Sequence, residues 1–126
     1  MDVGIASKSK EFQVILALLD SGANTTFIDK AVAEWLGLTL ETLANPICIF
    51  NVDGSGNSAG DVTHAVDITV DFLGYREELR TEVTNLGKNS LILGYMWLKK
   101  HNPSIDWEKG MVKFNQCPRS CLMLQD

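Results

Sequence analysis

Apolar residues between Ala6 and Leu19 fall into two runs separated by Ser7-Lys8-Ser9-Lys10, a pattern that predicts two strands joined by a turn. The second, Phe12 to Leu19, is apolar at nearly every position and predicts a strand buried on both faces. After a break at Asp20-Ser21-Gly22, the β-branched and aromatic run Thr25-Thr26-Phe27-Ile28 predicts another short strand. Asp29 can cap a helix there, since its carboxylate can accept from first-turn N–H groups. Val32, Trp35 and Leu36 fall at i, i+3 and i+4, and Gly37 supplies the stop. A strand is predicted again from Ile47 to Val52, then a glycine-rich hairpin tip over Asp53 to Gly60. From Thr63 to Phe72 the pattern alternates, with Val66, Ile68, Val70 and Phe72 on one side and Asp67, Thr69 and Asp71 on the other, as in a half-buried strand. Gly74 permits a turn into Tyr75 to Thr84. Leu91-Ile92-Leu93 reads as a short buried strand ended by Gly94, and Tyr95 to Lys100 as a short helix stopped at Asn102-Pro103. A last hairpin is predicted from Ile105 to Phe114 through Glu108-Lys109-Gly110. The chain is therefore expected to be mainly β with two short helices, without repeats or an internal linker. One domain over 1–114 precedes an aperiodic tail over 115–126.

Composition narrows the function classes. With 126 residues, of which 45% are apolar, the chain suits one domain with its own core and no disulfide or metal staple. Its net charge is −5, and apart from Lys99-Lys100-His101 the basic residues are scattered, so it lacks the basic stripe of a nucleic-acid-binding face. The longest aliphatic run, Val14 to Leu19, falls far short of the roughly 20 residues of a membrane span. Three cysteines (Cys48, Cys117, Cys121) and a start without an apolar leader core point to a reducing cytoplasmic setting. Cys117 and Cys121 lack the second ligand pair of a zinc site, and Gly54-Ser55-Gly56 lacks the glycine and lysine of a phosphate loop, so neither a metal nor a cofactor is expected. Trp35, Trp97 and Trp107 read as core aromatics, and His64 and His101 accompany no nucleophile pattern.

Candidate chemistry centres on Leu18-Leu19-Asp20-Ser21-Gly22-Ala23. Asp, Ser and Gly are ordinary turn formers. Here, however, the carboxylate closes an aliphatic strand and leads directly into another strand, which singles out Asp20. Far downstream, Leu91-Ile92-Leu93-Gly94 pairs aliphatic residues with a glycine that another backbone can approach closely.

Taken with Asn51-Val52-Asp53-Gly54-Ser55-Gly56 between them, and with Tyr95-Met96-Trp97-Leu98 and His101-Asn102-Pro103-Ser104-Ile105-Asp106-Trp107 after them, these motifs resemble those of retropepsin-like aspartic proteases. The likeness is strongest to the protease segment of gypsy-type long-terminal-repeat retrotransposon polyproteins, particularly fungal ones. It implies a closed β-barrel of the acid-protease type, with a flap hairpin and two short helices. It further implies an endopeptidase in which Asp20 activates the lytic water, Ser21 and Gly22 support the catalytic loop, and Leu91, Ile92, Leu93 and Gly94 brace it. Gly22, Asn24, Val52, Asp53, Gly54 and Ser55 would bind substrate, with Val52 to Gly56 forming the flap over an extended peptide. The chain holds one Asp-Ser-Gly, so a two-carboxylate site requires a second copy and hence a homodimer. Retroviral relatives commonly carry an acidic residue at the Asn24 position and an arginine after the Leu-Ile-Leu-Gly block, where this chain has Tyr95. A catalytically inert peptide-binding or dimerisation module and a cellular retropepsin-like protease are the competing readings.

Overall fold

The computed structural model describes residues 1–47, 62–72 and 74–113. The first predicted hairpin forms as β1 (Asp2–Ala6) and β2 (Phe12–Leu19), paired antiparallel from Asp2 opposite Leu16 to Ala6 opposite Phe12. After the Asp20 loop come β3 (Phe27–Asp29) and helix α1 (Lys30–Trp35). Next come β4 (Glu41–Ile47), then the long β5 (Val62–Phe72) and β6 (Tyr75–Thr84), then β7 (Leu91–Leu93). Helix α2 (Tyr95–His101) and a separate small hairpin, β8 (Ser104–Asp106) with β9 (Met111–Lys113), complete the described chain.

The strands lie in the order β1-β2-β7-β3-β6-β5, and a further β1–β5 pairing closes that ring into a six-stranded barrel, with β4 added to the outside edge of β5. Closure leaves the six strands with no free edge, and β5 and β6 supply its longest ladder, running from His64 opposite Val83 to Phe72 opposite Tyr75. The core fills the interior: Val3 and Ile5, Ala17, Ile28, the alternating Val66, Ile68, Val70 and Phe72, then Val83, Leu91 and Leu93. Ala33 and Leu36 of the α1 region and Trp97 of α2 cap this core from outside. Thr81 is fully buried, and its hydroxyl donates to the Val66 carbonyl at 2.8 Å, so its burial leaves no orphaned polar group.

The turn signals act as expected. Asp29 caps α1, accepting from the Val32 N–H, and its other carboxylate oxygen accepts from Leu86 N–H at 2.9 Å, which ties the start of the helix to the β6–β7 connection. Gly37, Gly74 and Gly110 take φ of 71°, 84° and 63° at chain reversals where such a backbone is needed. Some expectations are revised. Strand β2 is buried on one face only, because in a barrel wall alternate residues face out: Val14 is 73% and Leu16 67% exposed, and Leu18 is exposed with them. Trp35 and Trp107 are exposed at 66% and 85%, leaving Trp97 as the core tryptophan. In α1 Val32 and Leu36 pack against the core as expected and Ala33 joins them, whereas Trp35 falls on the outer side, because a helix of six residues presents barely one turn to the barrel. Apart from Ile47, the strand expected over 47–52 lies outside the described residues, and β4 at Glu41–Ile47 is a strand the hydrophobic pattern did not indicate, because an exposed edge strand pairs with β5 without depending on burial. The hairpin tip expected over 53–60 and the tail over 115–126 lie outside the described residues.

Replacing Asp29 with alanine removes both the helix cap and the bond to Leu86. A loss of about 2 kcal/mol of unfolding free energy is expected in urea titrations, with the barrel retained.

Candidate active site

The Asp20 loop leaves the barrel at the end of β2. Strand β7 runs between the two strands that flank the loop: it pairs parallel with β2, Leu19 opposite Leu93, and antiparallel with β3, Ile28 opposite Leu91. The loop's entry and exit are thereby held to one three-residue strand. Asp20 itself donates its N–H to the Leu93 carbonyl at 3.0 Å and accepts from Ala23 N–H at 3.1 Å. Its Oδ1 accepts from the Gly22 N–H at 2.9 Å, so the side chain is oriented by the turn that follows it. Asp20 is half-buried, while Ser21, Gly22 and Asn24 are exposed.

Gly94 lies against the back of the same loop. The Tyr95 and Met96 N–H groups, which have no partner within α2, donate to the Ala23 and Asn24 carbonyls at 2.7 and 3.1 Å. This approach leaves no room for a side chain. A Cβ at Gly94 would lie 2.6 Å from the Ala23 oxygen and closer still to that of Thr25. Gly94 has φ of −87°, which any residue adopts, so space and not backbone conformation demands glycine here.

A second cluster sits behind α2. Glu77 of β6 is buried, and its Oε1 accepts from Trp97 Nε1 and pairs with His101 Nε2, each at 2.7 Å, while its Oε2 accepts from Lys100 Nζ at 3.1 Å. The Trp97 and His101 rings pack on Phe72 with centroids 5.4 Å away in both cases. Burial alone would push the Glu77 carboxyl up, but the bonds and charge of His101, with the bonds from Lys100 and Trp97, outweigh it and hold the group below its ordinary 4.5. Sequence reasoning missed this cluster: Glu77 lies in an alternating strand among other acidic residues, and only the distant His101 and Trp97 distinguish it.

A model of the PEG10/RTL1 protease domain matches residues 16–121, a span that includes Asp20, Gly94 and the Trp97–His101 segment. The chain belongs to this family. The fold of this PEG10/RTL1-type domain is also that of retroviral proteases. It is similar to the retroviral protease-like domain of Ddi1 from Leishmania major, with TM-score 0.56 and 19% identity over 92% of this chain and 87% of that one. It is likewise similar to the EIAV protease complexed with the inhibitor HBY-793, with TM-score 0.51 and 20% identity over 84% of this chain and 89% of that one. The closed barrel with two helices that the motifs implied is therefore the fold observed.

Of the residues singled out from sequence, the fold brings Asp20, Ser21, Gly22 and Asn24 together with Leu91, Ile92, Leu93 and Gly94. Val52, Asp53, Gly54 and Ser55 lie outside the described residues, as do the three cysteines. Among the described residues no three His, Cys, Asp or Glu side chains converge on a point where a metal ion could sit, and no helix is long and apolar enough to cross a membrane.

Two outcomes are expected from this geometry. Gly94→Ala should displace the loop and destabilise the domain by about 3 kcal/mol, measured by urea unfolding, because the added methyl meets backbone that cannot swing aside. The Glu77 carboxylate, with its pKa lowered by folding, contributes stability above the ordinary value of 4.5 that is lost as the pH falls through its folded value. Glu77→Gln has no such proton to gain, so it should be less stable than the unsubstituted chain at neutral pH. That difference should shrink steadily in thermal melts taken toward acid, and a difference that grows would contradict the assignment.

Proposed function

We propose that this domain is one half of a homodimeric aspartic endopeptidase. The observation that carries the reading is Asp20: a half-buried carboxylate at the end of a barrel strand, oriented by Gly22 N–H and set in a loop whose neighbours Ser21, Gly22 and Asn24 are open to solvent. Peptide hydrolysis needs one group to take a proton from water and another to give one to the substrate. Two carboxylates brought face to face perform both roles, since two like charges a few ångströms apart cannot both ionise and one keeps its proton. With a single Asp-Ser-Gly in the chain, the second carboxylate is Asp20 of another copy across a two-fold axis.

In this reaction the ionised Asp20 takes a proton from the water held between the pair, and the water oxygen attacks the scissile carbonyl carbon. The protonated partner carboxyl gives its proton to the carbonyl oxygen. The resulting gem-diol collapses as the C–N bond breaks: the carboxyl that took the water proton gives it to the leaving nitrogen, and the partner carboxylate takes a proton back from a gem-diol hydroxyl. Ser21 supports the paired loops, Gly22 accepts the substrate N–H, and Asn24 contacts the substrate main chain. By the family resemblance, Val52, Asp53, Gly54 and Ser55 are assigned to binding an extended peptide substrate. The resemblance to gypsy-type elements favours a polyprotein as substrate, and the sparse cysteines favour a reducing cytoplasmic setting.

Tyr95 stands where an arginine braces retroviral relatives, and this favours one other reading, an inert peptide-binding or dimerisation module. Sedimentation at micromolar concentration, together with cleavage of polyprotein-junction peptides at mildly acidic pH, separates the two. The protease reading expects a dimer whose turnover falls by about a thousandfold or more in Asp20→Asn, with the thermal melt unchanged. Turnover retained in that variant, or a monomer that cleaves, overturns it.

A further inference from the structure

Helix α2 is seven residues long, too short to persist in water by itself, and its cap residue Gly94 offers no side-chain bond. Its place must come from tertiary contacts. The ring contacts of Trp97 and His101 with Phe72 supply burial, but non-directional packing leaves a short helix free to turn about its axis. Beyond the backbone bonds of Tyr95 and Met96 at its start, directional constraint on the helix comes from Glu77. Residues 97, 100 and 101 lie at i, i+3 and i+4 on one face, and all three side chains converge on the one carboxylate, two of them on the same oxygen. A buried carboxylate of this kind seldom stabilises a fold more than an apolar side chain of equal size would. What its bonds add is a single orientation. The exposed pairs of Arg80 with Glu41 and Asp67 have no comparable hold on a neighbouring element.

We propose that Glu77 is a positioning residue for the Asp20 loop. Its carboxylate sets the rotation of α2, and the helix in turn presents the Tyr95 and Met96 N–H groups to the Ala23 and Asn24 carbonyls. Asp20 is thus held from two sides, by β7 through Leu93 and by Glu77 through α2. The catalytic meaning of this role rests on the reading of Asp20 as the reacting carboxylate, whereas the mechanical role does not.

The test is residue-resolved amide hydrogen exchange on the full chain carrying Glu77→Gln, which removes the charge and sets an amide group toward Lys100. Exchange at Tyr95 and Met96 should quicken by about tenfold while amides of the β5–β6 ladder keep their protection. Peptide turnover should fall alongside. Should Glu77→Gln fail to fold, Trp97→Phe, which keeps a core ring and removes one donor, is measured in the same way. Arg80→Met is the control, with exchange at Tyr95 and Met96 as in the unsubstituted chain. Unchanged protection at Tyr95 and Met96 in the Glu77 variant, or equal acceleration at every amide, overturns the proposal. An unsubstituted chain that cleaves no peptide defeats the protease reading instead, and the exchange result still decides the role of Glu77.

Discussion

Two hydrogen bonds and a missing side chain hold the candidate site together. The first N–H groups of α2 need acceptors that the helix cannot supply, and the Asp20 loop has carbonyls that no strand takes up. Each satisfies the other, at Tyr95 to Ala23 and Met96 to Asn24, and the contact is possible only because Gly94 has no Cβ to hold the backbones apart. The loop cannot move without exposing the helix end, nor the helix without releasing the loop. Strand β7, placed between β2 and β3, makes the same link at the level of the sheet.

The barrel gives this arrangement its rigidity. Because β1 pairs with both β2 and β5, the six strands form a continuous ring, and Asp20 sits at the end of a wall strand and not on an open edge. The inward rows of β1, β5 and β7 fill the ring, while the outer row of β2 is left bare and apolar. On one copy the loop residues Ser21, Gly22 and Asn24 are also open to solvent. A loop so firmly supported from behind and so exposed in front is well suited to meeting another molecule, which in the proposed dimer is a second loop of the same kind.

Behind α2 the chain buries a charge, which needs a reason. Glu77 is satisfied by three donors from a single helix face, and the balance of burial against those donors leaves it readily ionised. Such groups specify an orientation better than they add stability. The orientation they specify here belongs to the helix that caps the Asp20 loop.

Local chemistry was legible in the amino-acid order. The turns at Gly37, Gly74 and Gly110, the cap at Asp29 and the inward row Val66 to Phe72 follow from backbone conformation and period-two burial, which act over a few residues. The pairing of Asp-Ser-Gly with Leu-Ile-Leu-Gly was legible as a motif, and with it the closed barrel. Which face of β2 lies inside, and that Trp35 and Trp107 lie outside while Trp97 lies within, was not legible, because an apolar side chain carries no mark of the surface it will meet. Nor could the order of residues show that Glu77 would meet His101, since twenty-four positions separate them and only closure of the barrel brings β6 against α2. Sequence by itself determined the turns, the strands and the carboxylate at the end of β2. Tertiary structure alone decided what holds that carboxylate in place, because hydrogen bonds between distant residues exist only once packing has set their distance and direction.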